Sequence, residues 1–351
     1  MNSLLDTLDR YAVPFFKAYG DRLDDGHRHA LSAIRRCRTE HYGELTLQCT
    51  ACDHTDVKYR SCGHRSCHRC QNHDNTRWLE HQQAKLLPVD YFMVTFTLPA
   101  QCRAIAWHNQ QTMYTLLFTT AVSTCRDFAK RDKHLKGNIG LTAVLHTHTR
   151  RLDYHPHVHL IIPGGAIDTK QRCWRTPKNA YLFAHKALAK VFRARMLQGM
   201  REAKLLAHKA LPDTWVVDCR KIGNGLPALK YLSRYLYRGV ISEKQLVADD
   251  GESVIFAYRD ARSGKRRTRT VSGARFVWLL MQHVLPTRFR RVRDYGFLHG
   301  NARKTLIRVQ WFLKAAIDRL TPVQPRPPFR CKQCGKPMKV TEFTPPNRLS
   351  G

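Results

Sequence analysis

The sequence predicts a mixed fold of helices and sheet, α+β or α/β, over about residues 86–320, behind a cysteine-rich module over about residues 1–85. Two patterns carry this expectation. Strand-like and helical segments alternate between Val89 and Leu285. Seven of the twelve cysteines precede residue 103, and six of those lie between Cys37 and Cys70, which marks off a separate module.

Taken in order, a helical segment over about residues 3–35 leads the chain, and "DNTRWLEHQQAKLL" reads as a connecting helix. "VDYFMVTFTLP" has the β-branched and aromatic content of a buried strand and stops at Pro99. Residues 104–130 read as a helix. "GNIGLTAVLHTHTR" and "HPHVHLIIPGG" follow as two strands joined by a turn around Arg151 to Tyr154. A long basic helix is expected over about 177–209, then the strand "TWVVDCRKI". "GLPALKYLSRYLYRG" is helical, with Pro227 tolerable in its first turn. "SVIFAYRD" and "KRRTRTVS" form a hairpin, and "GARFVWLLMQHVL" another helix. Residues 321–351 read as a Pro-rich, loosely attached tail with a lone CxxC.

Lys+Arg number 60 against 27 Asp+Glu, a formal charge of +33 with pI ≈ 10.2. Such a bias points to a polyphosphate partner, and its spread along the chain to a long binding surface. With 43% hydrophobic residues, wholesale disorder is excluded. No run of about 18 apolar residues offers a membrane span. The start "MNSLLDTLDRYAVPFF" carries charges inside its apolar part, unlike a signal peptide. A cytoplasmic chain is therefore expected, in which cysteines serve as metal ligands or free thiols rather than disulfides.

Cys49-x-x-Cys52 and Cys67-x-x-Cys70 stand 14 residues apart, and two such pairs can supply four thiolates to one tetrahedral zinc. Cys37, His41, Cys62 and His64 lie close by, enough for a second zinc. Thiolate-saturated zinc leaves no open position, so the module, with Lys58, Arg60, Arg65, Arg69 and Arg77, suits nucleic-acid binding better than catalysis. Cys331 and Cys334 make half a site, whose other ligands must come from elsewhere or from another chain. Cys102, Cys125, Cys173 and Cys219 read as core packing.

"HPHVH" places His155, His157 and His159 at every second position, so on a strand they share a face. Two imidazoles at i and i+2 can hold a divalent ion if a neighbouring element adds a third ligand. "AVLHTHTR" carries His146 and His148 on one face of the preceding strand. In "ALKYLSRYLYR", Tyr231 and Tyr235 stand one helical turn apart among Lys230, Arg234 and Arg238. That pair is either an aromatic stripe packed on the sheet or a pair of nucleophiles whose phenols, with an ordinary pKa near 10, are eased by surrounding cations.

"HPHVHLIIPGG" resembles the His-hydrophobic-His (HUH) signature of single-strand DNA endonucleases, at His157-Val158-His159. "YLSRY" resembles their two-tyrosine motif. The cysteine-rich start looks like the zinc-binding domain of rolling-circle insertion-sequence transposases, and "FRRVRDYGFLHGNARK" resembles a late segment of the same enzymes. The resemblance spans nearly the whole chain, and the order of its parts makes it specific.

The resemblance implies an α+β core with a central antiparallel sheet, histidines on its middle strand and the tyrosine helix packed across it. It implies Mg²⁺ or Mn²⁺ at His157 and His159, structural Zn²⁺ in the first module, and attack by Tyr231 or Tyr235 on a scissile phosphate. The motif does not fix the third ligand; strand adjacency selects His146, with His155 in reserve. A 5′-phosphotyrosine and a free 3′-OH would result, and the conserved bond energy makes rejoining independent of ATP. The DNA contacts fall to Arg65, Arg69, Lys230, Arg234 and Arg238, and the substrate to single-stranded element ends and target DNA in the bacterial nucleoid. No phosphate-cradling GxxxxGK[ST] occurs, so unwinding belongs to a host helicase or the replication machinery. His68 stands where relatives usually carry proline. Two other readings compete: a plasmid replication initiator or relaxase, which would use the same residues, and a non-catalytic zinc-containing DNA-binding protein, in which the histidines and tyrosines merely pack.

Overall fold

The computed structural model describes residues 3–70, 72–178, 181–205, 211–236, 240–260, 263–315 and 328–346. It is α+β, in two compact units that alternate along the chain. One comprises Met1–Arg77, Tyr237–Val284 and Thr321–Gly351, the other Trp78–Leu236 and Leu285–Leu320. The boundaries expected from composition do not follow this division. The hairpin and helix after residue 240, and the C-terminal strand, fold with the cysteine-rich unit because their apolar faces are completed there.

In the first unit, the helical segment expected as one piece is three helices, Leu4–Arg10, Ala12–Tyr19 and Asp25–Arg35. Pro14 has no amide to continue the first helix's ladder. Asp24 restarts the third by accepting from the His27 amide, a side-chain N-cap. Tyr19 stacks on Trp278 of the Gly273–Met281 helix, with ring centroids 4.8 Å apart. Gly273 is required there, since a Cβ would run into the Tyr11 ring. Strands Leu246–Asp249, Ser253–Arg259 and Arg266–Ser272 form a three-stranded sheet, the last two being the expected hairpin. A second three-stranded sheet joins Glu44–Cys49 to Thr55–Tyr59 on one side and Met338–Thr344 on the other. The tail is thus not a loose appendage: Glu44 to Cys49 pair antiparallel with Thr344 to Met338.

Asp249 ties the two ends of this unit's fold together. Its enclosed carboxylate accepts from Thr7 Oγ1 at 2.8 Å, Arg10 Nη1 at 2.8 Å and Tyr11 Oη at 2.7 Å. Burial opposes its charge, but the hydrogen bonds from Tyr11 and Thr7 and the Arg10 cation outweigh burial, so its carboxyl stays below the usual range. The Tyr11 phenol is pushed up to about 12, by burial first and by Asp249 second.

The second unit is built on a five-stranded antiparallel sheet. Its spatial order is Val292–Tyr295, Leu141–His148, Tyr154–Pro163, Tyr91–Thr97, Val217–Lys221, which puts the histidine strand in the middle. One face buries Phe92, Val94, Phe96, Leu141, Ala143, Leu145, Val158, Leu160 and Ile162 under the helices Gln110–Arg131 and His185–Glu202. The helix expected over 104–130 breaks at Asn109, whose backbone (φ −134°, ψ 44°) is not helical. The long basic helix is shorter than expected and is followed by Lys204 in the left-handed region. Asp294, on the edge strand Val292–Tyr295, accepts from Gln82, Lys85 and Thr142 and so fixes the helix Asn72–Gln83 to the sheet.

Removing the Asp249 carboxylate takes the acceptor from the Thr7, Arg10 and Tyr11 side chains and from the Gly251 amide. Asp249→Ala is expected to cost about 2 kcal/mol, read as a lower urea midpoint of the full chain at unchanged slope. The depressed carboxyl contributes stability above the ordinary aspartate range near pH 4. The difference between wild type and variant should therefore shrink as the pH falls through that range.

Candidate active site and cysteine clusters

Strand pairing assembles the histidines. His146 lies directly opposite His157, and His159 is two residues further along the same face. The ring centroids are 4.6 Å apart for His146–His159, 4.8 Å for His157–His159 and 5.3 Å for His146–His157. One ligand nitrogen from each of the three falls within 4.8 Å of the others. His157 Nδ1 lies 2.7 Å from the His155 carbonyl, which can only accept, so Nδ1 carries the proton and Nε2 keeps its lone pair. His159 Nδ1 bonds Thr95 Oγ1 at 2.9 Å across the next strand pair. Burial holds all three imidazoles neutral. His146 lies well below the ordinary range and His159 is brought down to about 3, in each case by burial first and then by neighbouring histidines. His157 is lowered by burial as well. Neutral imidazoles on two adjacent strands are the form in which histidine binds a metal.

His155, the reserve ligand, is engaged elsewhere. Arg103 Nη2 donates to its Nδ1 at 3.0 Å, which leaves the ring proton on Nε2. A register shift between His146 and His148 sets His148 opposite Tyr154 rather than His155.

The helix Leu226–Leu236 lies against the strand that carries His146. It starts from Gly225 at φ +80°, where a Cβ would come 2.7 Å from the Tyr91 ring, so only glycine lets the helix begin there. Ala228, Leu229, Leu232 and Ser233 are buried and Lys230 is exposed. The side chains of Tyr231, Arg234 and Tyr235, and Arg238 as a whole, lie outside the described residues.

The cysteines assort differently from the expected tetrad of Cys49, Cys52, Cys67 and Cys70. Cys67 and Cys70 join Cys37, which follows the third helix, and Cys62. In this cluster Cys37 Sγ and Cys62 Sγ lie 3.2 and 3.5 Å from Cys70 Sγ. Cys49 and Cys52 instead face Cys331 and Cys334. The reason is the sheet: Cys49 ends its strand opposite Met338, so the C-terminal strand brings its own CxxC alongside. His41 and His64 belong to neither cluster. His64 Nδ1 accepts the Ser66 amide, and His41 packs edge-on against Tyr42. Arg69 donates to the Cys37 carbonyl, so it braces the first cluster. His68 reaches Glu243 at 3.5 Å.

Two family models match the sequence. One, described as "Transposase zinc-binding domain", covers residues 7–98, and the other, described as "Putative transposase", covers residues 140–305. A relative from Sinorhizobium fredii (strain NBRC 101917 / NGR234), "Putative transposase y4qJ", is 34% identical over 322 residues, 85% of this chain and 81% of its own. The chain belongs to the insertion-sequence transposases that carry a zinc-binding domain. Another relative of this transposase, "Transposase for insertion sequence element IS801" from Pseudomonas savastanoi pv. phaseolicola, is 28% identical over 358 residues, 91% of this chain and 84% of that one. No solved structure matches. The transposase is accordingly a DNA-acting, zinc-binding enzyme. Cys331 and Cys334 fall outside both matched segments.

Two residues beside the histidines escaped sequence reasoning, Thr95 at His159 and Arg103 at His155. Thr95 and Arg103 act from outside the histidine strand, and no local pattern marks either. Thr95 orients the His159 ring, and loss of such a partner weakens metal binding by roughly 10-fold or more. Were the three histidines to hold Mn²⁺, Thr95→Val would weaken its binding by about that factor with thermal unfolding unchanged, as read by paramagnetic resonance titration. An unchanged affinity would remove Thr95 from the site.

Proposed function

We propose that this transposase cuts and rejoins single-stranded DNA at element ends through a transient bond between DNA and Tyr231 or Tyr235, with a divalent ion held by His146, His157 and His159. One observation carries the proposal: three neutral imidazoles, two of them oriented by hydrogen bonds, meet on adjacent strands of an antiparallel sheet, beside the helix that bears both tyrosines. The donor set fits such an ion. Its imidazoles suit Mn²⁺ better than Mg²⁺, which prefers oxygen ligands and keeps its waters. An ion so held supplies Lewis-acid polarisation of a phosphate oxygen.

The chain's own residues supply the rest. A phenol oxygen forms a bond to phosphorus, the bond to the 3′-oxygen breaks, and that oxygen leaves as a hydroxyl. The 5′-phosphate stays on tyrosine at nearly unchanged bond energy, so a returning 3′-OH reverses the step. Two tyrosines one turn apart permit two DNA ends to be held in turn, as strand transfer requires. Lys230, Arg234 and Arg238 beside them, and Arg65 near the first cysteine cluster, are assigned to phosphate contacts. We assign zinc to Cys37, Cys62, Cys67 and Cys70, which presents that basic surface. Among the described residues no helix is long and apolar enough to cross a membrane, and the reading places the enzyme on DNA in the cytoplasm with strand opening left to host enzymes.

With Mn²⁺ and a labelled single-stranded element end, the wild-type chain should give an adduct that survives denaturing detergent. The double variant Tyr231→Phe/Tyr235→Phe should give none, and each single variant should retain part of it. An adduct of undiminished yield in the double variant would overturn the assignment.

A further inference from the structure

The first cysteine cluster lies wholly inside the segment that matches the zinc-binding domain, but the other does not. We infer that Cys49, Cys52, Cys331 and Cys334 form a second, independent site for structural Zn²⁺, which staples the C-terminal strand to the N-terminal hairpin.

The sulfur positions fit a metal and not disulfides. Cys49 Sγ is 3.4 Å from Cys334 Sγ, and Cys52 Sγ is 3.5 Å from Cys334 Sγ and 3.7 Å from Cys331 Sγ. Four bonds of about 2.3 Å in a tetrahedron place their sulfurs about 3.8 Å apart. A disulfide requires about 2.05 Å and would single out one partner for each cysteine. Cys52 is instead nearly equidistant from two.

The backbone around the two CxxC segments is the same twice over. The Ala51 amide donates to Cys49 Sγ at 3.4 Å, and the Gln333 amide donates to Cys331 Sγ at 3.4 Å. The Cys49 amide donates to the His54 carbonyl, and the Cys331 amide to the Lys336 carbonyl, each at 2.9 Å. Each segment is followed at once by a residue in the left-handed region, Asp53 at φ 54° and Gly335 at φ 72°. Two equivalent turns thus face one another, each presenting two sulfurs and amides that offset thiolate charge.

The sheet also needs such a tie. Its hydrophobic cluster consists of Leu47, Met338 and the two cysteines Cys49 and Cys331, with Leu45 packed against them. A core of that size cannot by itself hold a three-stranded sheet whose third strand arrives from the far end of the chain. Four sulfurs saturate the coordination, so the ion there is structural.

Zinc per chain, counted by plasma mass spectrometry, tests this. The count is made in full chains carrying His157→Ala and His159→Ala, so that no ion at the histidines contributes. Two zinc ions per chain are expected. Adding Cys331→Ser and Cys334→Ser should remove one and open the segment after residue 328 to limited proteolysis. Adding Cys67→Ser and Cys70→Ser instead should remove the other and leave that segment protected. Two zincs retained in the Cys331→Ser/Cys334→Ser chain would overturn the inference. One zinc in the parent chain, iron in place of zinc, or loss of free thiols to a disulfide among these four cysteines would do so equally. Because the count needs no DNA cleavage, its outcome is separate from that of the tyrosine assignment.

Discussion

Everything proposed for the catalytic unit depends on the register between the strands Leu141–His148 and Tyr154–Pro163. Side chains alternate along a strand, so a slip of one residue would send every histidine to the opposite face. What prevents the slip is the other side of the sheet. Val158, Leu160 and Ile162 are buried with Ala143 and Leu145 under two helices, and a slip would bring polar groups into that core. The apolar face therefore locks the polar one. The link between the strands helps, with the Asp153 amide bonded to Thr149 Oγ1 and Leu152 held at φ 67°. Beyond His146 the register shifts and sets His148 opposite Tyr154, and His148 is not part of the His146, His157 and His159 group.

The first unit depends on a different kind of tie. Its helices, its hairpin and its terminal strand come from segments far apart in sequence, and small contacts of high order hold them. The Asp249 carboxylate links the first helix to a strand some 240 positions later. The cysteine clusters do the same for the loops. Such a unit suits a surface that must be both rigid and basic, because cations crowded on a small fold repel one another unless its backbone is fixed.

The histidine site was legible because its geometry is short-range. A period of two and the adjacency of consecutive strands were enough to select His146 beside His157 and His159. Thr95 was not legible, since its bond to His159 crosses from a strand more than 60 residues earlier in the chain. The cysteine partition failed for the same reason. Spacing pairs Cys49/Cys52 with Cys67/Cys70, but spacing is blind to a strand some 280 residues away. Prolines on either side of "MKVTEFT" made that strand read as tail, and with only Met338 buried it offers no alternation to mark it as the edge strand it is. The breaks at Tyr11 and Asn109 were hidden because helical periodicity continues across them. The tyrosine helix was placed well as an element, Leu226–Leu236 against an expected span over 225–239.

The central claim is that His146, His157 and His159 share one ion. Anomalous diffraction from Mn²⁺-soaked crystals, collected above the manganese edge, tests it most directly. The account predicts one peak within bonding distance of a nitrogen from each of the three rings, with none at His155. A peak that omits His146, or no peak on this face of the sheet, would contradict it.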